Sequence, residues 1–228
     1  MNRACFSQNE NWHEQNQHAS SIRPLKSNFV RMKTDIILAG VGGQGILSIA
    51  SAIAAAALSQ SLYIKQAEVH GMSQRGGDVQ SHLRISDRPV MSDLIPAGEA
   101  NLILSVEPLE ALRYLPYLHA EGWVVTNSTP FINIPNYPDP AKVLEALGEL
   151  PRVVILDAES LARACGIERA SNMVMLGAAI PFLQLSQAMV EEAVGRTFER
   201  KGSDVVELNI KALRAGLQVS QSKGALLT

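Results

Sequence analysis

Between Ile36 and Ile64 no side chain carries a charge. A stretch this apolar either spans a membrane or is buried in a protein core. Glycines decide between the two. Gly40, Gly42, Gly43 and Gly45 break the run. What remains for a helix, Ile46 to Leu58, is about thirteen residues, short of the roughly 20 that a span requires. Ala50, Ala52, Ala54, Ala55, Ala56 and Ala57 give it high helix propensity. Their small side chains also let a helix approach a sheet closely. The expectation is a buried strand at Ile36–Ala39, a tight glycine turn, and a helix over Gly43–Leu58, with no membrane segment.

The remaining 200 or so residues suit one large α/β domain. The chain has 228 residues, 46% of them apolar. Its net charge is −2 and its aromatic content 5%. With no Lys/Arg cluster either, nucleic acid is not an expected partner. Cys5 and Cys165 are the only cysteines and lie far apart. No disulfide framework or cysteine-rich metal motif is readable, and a reducing cytoplasm is the simplest setting. Residues 1–31 differ from the rest: fourteen are Asn, Gln, His or Ser. No apolar h-region marks a secretory signal. They are expected to form a disordered N-terminal extension, followed by a single α/β domain over 32–220 and a C-terminal tail at 221–228.

Further strands are expected at Leu62–Ile64, Val79–Ile85, Leu102–Val106, Trp123–Thr126 and Val153–Leu156. Helices are expected at Pro108–Tyr114, Ala141–Leu147, Leu161–Cys165, Met173–Leu183, Gln187–Phe198 and Asp204–Leu217. The Val79–Ile85 segment alternates. Val79, Ser81, Leu83 and Ile85 share one face and Gln80, His82 and Arg84 the other, the pattern of a half-buried strand. Strands alternating with helices predict a Rossmann-like open, mainly parallel sheet flanked by helices, with a helical C-terminal part.

The turn "AGVGGQG" matches G-x-G-x-x-G through Gly40, Gly42 and Gly45. A helix N-terminus behind such a turn favours an anion. Gly40, Gly42, Gly43, Gln44 and Gly45 are therefore candidate anion- or partner-binding residues. A dinucleotide fold also wants an acid about 20 positions on, at the end of the second strand. Glu68 lies near that place. A free-standing NAD(P)-binding oxidoreductase and a non-catalytic nucleotide-binding module are thus two readings of this turn. A second signature, "EVHGMSQRGG", adds Gly71, Ser73, Gln74, Arg75, Gly76 and Gly77 to the candidates. Arginine can grip a carboxylate or phosphate as a bidentate fork. His70 can exchange protons near neutral pH. His70 and Arg75 are the candidates for a catalytic role.

Together, "ILAGVGGQGIL" and "AEVHGMSQRGGDVQSHLRI" resemble the gamma-type subunits of 2-oxoacid:ferredoxin oxidoreductases, in particular the small subunits of the indolepyruvate type. The resemblance runs from about Met32 to Ala215. It implies a heteromeric enzyme that decarboxylates a 2-oxoacid on thiamine diphosphate with magnesium. Electrons pass through 4Fe-4S clusters to ferredoxin, and the acyl group goes to coenzyme A. It also implies that a large subunit carries the thiamine and the clusters. The residues agree: a four-iron cluster needs four thiolates, and no asparagine pair follows Gly77–Asp78 as a thiamine motif would require. No cofactor is therefore expected on this chain alone. A coenzyme A phosphate and a peptide of the large subunit are both open as occupants of the glycine loops.

Overall fold

A strand with no polar alternation must be covered on both faces, and β1 (Lys33–Val41) is: every residue after Lys33 is buried. The computed structural model describes residues 32–70, 77–132 and 134–223. The N-terminal extension, the body of the second signature and residues 224–228 lie outside these. After β1 come α1 (Ile46–Ser59), β2 (Tyr63–His70), β3 (Asp78–Ser86) and β4 (Ala100–Ser105). Next are α2 (Pro108–Arg113), β5 (Leu118–Asn127), α3 (Pro140–Gly148), β6 (Val153–Leu156) and α4 (Ala158–Ala164). The chain ends in α5 (Ser171–Ala179), α6 (Gln187–Phe198) and α7 (Ser203–Ser222). The last helix thus takes in Gln221 and Ser222, which the sequence reading assigns to the tail.

The six strands form one sheet in the order β2-β3-β1-β4-β5-β6. β1, β4, β5 and β6 pair in parallel. β3 is antiparallel to both β1 and β2, so only it runs against the others. One face of the sheet packs under α1 and α4 to α7 through Ile36, Leu38, Ile53, Leu104, Val174 and Leu213. The other packs under α2 and α3 through Ile37, Ile103, Ala111, Val124 and Leu147. The alanines of α1 do what their size suggests: Ala50, Ala52, Ala56 and Ala57 are all buried.

Besides longer bounds for β1, β5 and the last helix, three differences from the sequence reading have specific causes. The second strand is much longer than Leu62–Ile64. It extends through Glu68 to His70 because β3 supplies a hydrogen-bonding partner for each residue, from Tyr63 opposite Ser86 to His70 opposite Val79. The helix expected at Leu161–Cys165 begins at Ala158, because the Asp157 carboxylate caps it by accepting from Ser160 N at 2.8 Å. The Ser160 hydroxyl, which donates to the other carboxylate oxygen at 2.6 Å, and then this backbone bond hold the Asp157 carboxyl below its usual range.

The third correction concerns β3, which is not half-buried. Its polar face lies beneath the segment 92–95 and Tyr117. His82 is 2% exposed. Its Nδ1 accepts from Ile95 N at 3.0 Å and its ring stands edge-on to Tyr117. Arg84 donates to both oxygens of Asp35 and to the carbonyls of Ser92 and Leu94. His82 and Arg84 thus have specific partners, while the third residue of this face, Gln80, keeps a buried Oε1 without a hydrogen-bond partner among the described residues.

Burial, and then the charge of Arg84, lower the pKa of His82 below its ordinary 6.5. Above 6.5 the ring is neutral in both folded and unfolded chains. As pH falls below 6.5 the unfolded chain takes up a proton that the folded chain resists, so stability is lost. The unfolding temperature is expected to drop between pH 7.5 and 5.5. His82→Gln should flatten that slope, even if its stability at pH 7.5 is lower. An unchanged slope in the variant would show that other groups set the pH dependence.

Candidate functional site

The two glycine signatures meet at one end of the sheet. β1 and β3 are neighbours, with Gly40 opposite Val79 and Val41 opposite Asp78. One step beyond the paired strands, Gly42 N donates to Gly77 O at 2.9 Å. The first glycine turn is thereby fastened to the end of the second signature. Of His70 the backbone is described, at the end of β2. Gly71, Ser73, Gln74, Arg75 and Gly76 lie outside the described residues.

The turn itself is tightly determined. Gly45 sits at φ +81° as the N-cap of α1, and a Cβ there would meet Asn172 Nδ2 at 2.6 Å. A Cβ on Gly40 would run into Val106 and Ile46. Glycine is the residue that fits both constraints. Gly43, by contrast, faces open space. Gln44 turns inward: its Oε1 accepts from Val41 N at 2.8 Å, and its Nε2 lies 3.5 Å from Val106 O. No side chain caps α1, and no acidic residue stands in its first turn.

Two features separate this turn from a dinucleotide site. First, the sheet reverses its winding between β1 and β4, where such folds place the ligand crevice. Here Val106 N donates to Ala39 O at 3.0 Å and the Gln44 side chain spans the gap. The cavity left between Gln44, Val106, Asn127 and Glu159 is only about 60 Å³. Second, β3 intervenes between β1 and β2. That puts Glu68 two strand spacings from β1, roughly 10 Å, where a dinucleotide fold would have the acid on the adjacent strand. Glu68 stands opposite Ser81 and accepts from Gln66 Nε2 at 2.8 Å.

A polar scaffold that the sequence reading did not single out supports the same rim. Asn127, 2% exposed, donates to both oxygens of Glu159 and to Val106 O, and its Oδ1 accepts from Ala158 N at 3.1 Å. Glu107, 1% exposed, caps α2 through Glu110 N at 2.9 Å. The same carboxylate accepts from Phe131 N at 3.2 Å and from the Tyr137 hydroxyl, pinning the proline-rich loop after β5. Burial, reinforced by that bond to Glu107, pushes the Tyr137 phenol upward. Glu107 directly before Pro108 is a readable capping signal; its reach to residues 131 and 137 is not.

The model of the pyruvate ferredoxin/flavodoxin oxidoreductase family matches residues 35–219. The chain belongs to this family. It is 37% identical over 194 residues to indolepyruvate oxidoreductase subunit IorB of Archaeoglobus fulgidus, covering 81% of this chain and 94% of that one. The corresponding subunit of Pyrococcus horikoshii is 36% identical over 197 residues, covering 82% and 96%. The crystal structure of a keto/oxoacid ferredoxin oxidoreductase gamma subunit from Geobacter sulfurreducens superposes with a TM-score of 0.60. It is 23% identical, with 83% of this chain and 99% of that one covered. The two signatures that meet at Gly42 and Gly77 both fall inside the matched family region. Among the described residues no group of three or more His, Cys, Asp or Glu could hold a metal ion. Among the described residues Cys165 is the one cysteine, and it is buried. No described helix is long and apolar enough to cross a membrane.

Proposed function

We propose that this chain is the small subunit of a heteromeric 2-oxoacid:ferredoxin oxidoreductase acting on indolepyruvate or a similar aryl pyruvate in the cytoplasm. The bond from Gly42 N to Gly77 O carries this reading, because it gathers both signatures at one rim of the sheet. A large subunit supplies thiamine diphosphate, magnesium and the 4Fe-4S clusters, and passes electrons to ferredoxin. Coenzyme A takes the acyl group. The chain contributes the rim built by Gly40 to Gly45 and Gly71 to Gly77, with Arg75 gripping a carboxylate or phosphate of the partner or of a bound ligand. Residues 1–31 are a dispensable extension to the domain over 32–220.

Affinity purification of the full chain from its native host tests the reading. A large brown partner and 2-oxoacid-dependent dye reduction are expected. Micromolar NAD(P) binding by the isolated chain would overturn it. Within the reconstituted complex, Arg75→Lys keeps the charge but loses the fork. It is expected to leave this chain folded and to cost about 2 kcal/mol in turnover or assembly. Parental behaviour in both assays would remove Arg75 from the site.

A further inference from the structure

A sheet has two edges, and a chain that keeps to itself blunts both by shortening, charging or covering them. β6 is blunted. It has four residues. The carbonyls of Arg152 and Leu156 point inward to Val124 N and Ser128 N, so that of Ile155 faces out, where Lys223 Nζ donates to it. β2, at the other end of the sheet, is not blunted in this way. It has eight residues and no proline. The charge of its Lys65 is compensated by Asp93 at 2.8 Å.

Hydrogen bonds elsewhere in the sheet fix which backbone groups of β2 lie on its outer side. Gly42 N donates to Gly77 O, and Asp87 N to Met32 O. The odd-numbered residues of β3 therefore bond to β1 and the even-numbered ones to β2. Through the register, from Ser86 opposite Tyr63 to Gln80 opposite Val69, the odd-numbered residues of β2 bond to β3. The backbone groups of Ile64, Gln66 and Glu68 point away from it, along the edge. No backbone partner meets Ile64 or Gln66 there among the described residues.

The side chains beside this edge are apolar. Tyr63 and Val69, on one face of the strand, are each about half exposed. Leu94 and Met91 are exposed on the segment that Asp93 ties to Lys65. Three central antiparallel registers would set the outward groups of β2 against those of a second β2. One centred on Lys65 opposes ammonium to ammonium. One centred on Ala67 carries Tyr63 past the end of the partner strand. The register centred on Gln66 lays Tyr63 against the partner's Val69, and Val69 against the partner's Tyr63, with Lys65 opposite an alanine. In it Ile64, Gln66 and Glu68 each exchange two backbone bonds with the second copy.

We infer that two copies of this chain join along this edge, β2 against β2 in antiparallel, about a two-fold axis at Gln66. Backbone pairing of this length is small against the roughly 800 Å² per partner of a standard interface. The apolar side chains at Tyr63, Val69, Leu94 and Met91 add to it, and a micromolar dimer is expected.

Analytical ultracentrifugation of the full-length chain between about 1 and 100 μM tests this. A monomer–dimer equilibrium is expected. Tyr63→Lys together with Val69→Lys sets lysine against lysine twice and should weaken the dimer at least about tenfold. Both side chains are exposed, so the unfolding temperature of the monomer should stay at the parental value. Gln66→Cys reads the register, in a Cys5→Ser background that otherwise keeps only the buried Cys165. Opposed residues that exchange backbone bonds lie about 5.5 Å apart at Cα, within disulfide reach. Mild oxidation should link two copies through this position, in the isolated chain and in the complex purified from the host. Glu145→Cys, exposed on α3, should form no such link. A monomer throughout the range, or a dimer that the double lysine variant leaves unchanged, would overturn the inference. So would a Gln66→Cys chain that links no second copy, or that links to a different chain in the complex.

Discussion

Gly216→Ala is expected to destabilise the chain by about 3 kcal/mol, although alanine is the better helix former by nearly 1 kcal/mol. The reason is the crossing of α5 and α7. A Cβ on Gly216 would fall on the carbonyl oxygen of Val174, and one on Gly177 on the carbonyl of Leu213. The two backbones touch with no side chain between them. Ser220 tightens the crossing by donating its hydroxyl to Ala178 O at 2.7 Å. Because the obstacle is backbone, a rotamer change cannot relieve it, and the helices must move apart. Every residue of α5 from Met173 to Ala179 is buried, so that movement loosens the core on one face of the sheet. For a chain of this size the loss corresponds to a fall of about 6–12 °C in unfolding temperature. Gly148 is the control. It ends α3, and a Cβ added there would meet nothing within 4 Å, so Gly148→Ala should be neutral or gain up to about 1 kcal/mol. If Gly216→Ala unfolds with or above the parent, the backbone contact does not constrain this position.

How much of this is legible in the sequence differs by element. Where one physical cause acts locally, sequence and structure agree. The glycine turn and alanine helix follow from sterics. β6 and α6 have the bounds that their apolar pattern and flanking residues indicate. The failures share another cause, partners distant in sequence. β2 looks short because Lys65, Gln66 and Glu68 are polar, yet β3 pairs with every one of them. The Gln80, His82, Arg84 face looks like a wet surface. His82 and Arg84 are covered because Asp35, Ile95 and Tyr117 arrive from elsewhere to satisfy them. The same holds at the rim. Gln44 belongs to the glycine turn and could face a ligand, but its side chain turns inward and fills the crevice. The insertion of β3 between β1 and β2 removes the acid that makes Glu68 look like part of a dinucleotide site. No periodicity announces an inserted antiparallel strand. What does announce the family is the co-occurrence of two signatures, and the hydrogen bond between Gly42 and Gly77 gives that co-occurrence a physical meaning.

Arg84→Met is expected to be the most damaging single change on the polar face of β3, at about 3–5 kcal/mol. Arg84 forms a two-pronged pair with Asp35, at 2.9 and 3.1 Å, across the junction of β1 and β3. Asp35 is 1% exposed, and its backbone N–H is itself held by Asn101 Oδ1 at 2.8 Å. Removing the guanidinium leaves a buried carboxylate with only Lys33, at 2.9 Å, as counter-charge among the described residues. It also frees the carbonyls of Ser92 and Leu94, which fix the segment leading to the buried Ile95. Further variants separate these contributions. Arg84→Lys keeps a charge but cannot reach two carboxylate oxygens and two carbonyls in one plane, so about half the loss should remain. Arg84→Met combined with Asp35→Leu removes the stranded charge, and part of the stability should return, since replacing both partners costs less than removing one. Denaturant unfolding of these variants and of Asp35→Leu alone gives the coupling energy directly. A double variant no more stable than Arg84→Met alone would mean that the loss comes from the Ser92 and Leu94 carbonyls and not from the buried pair.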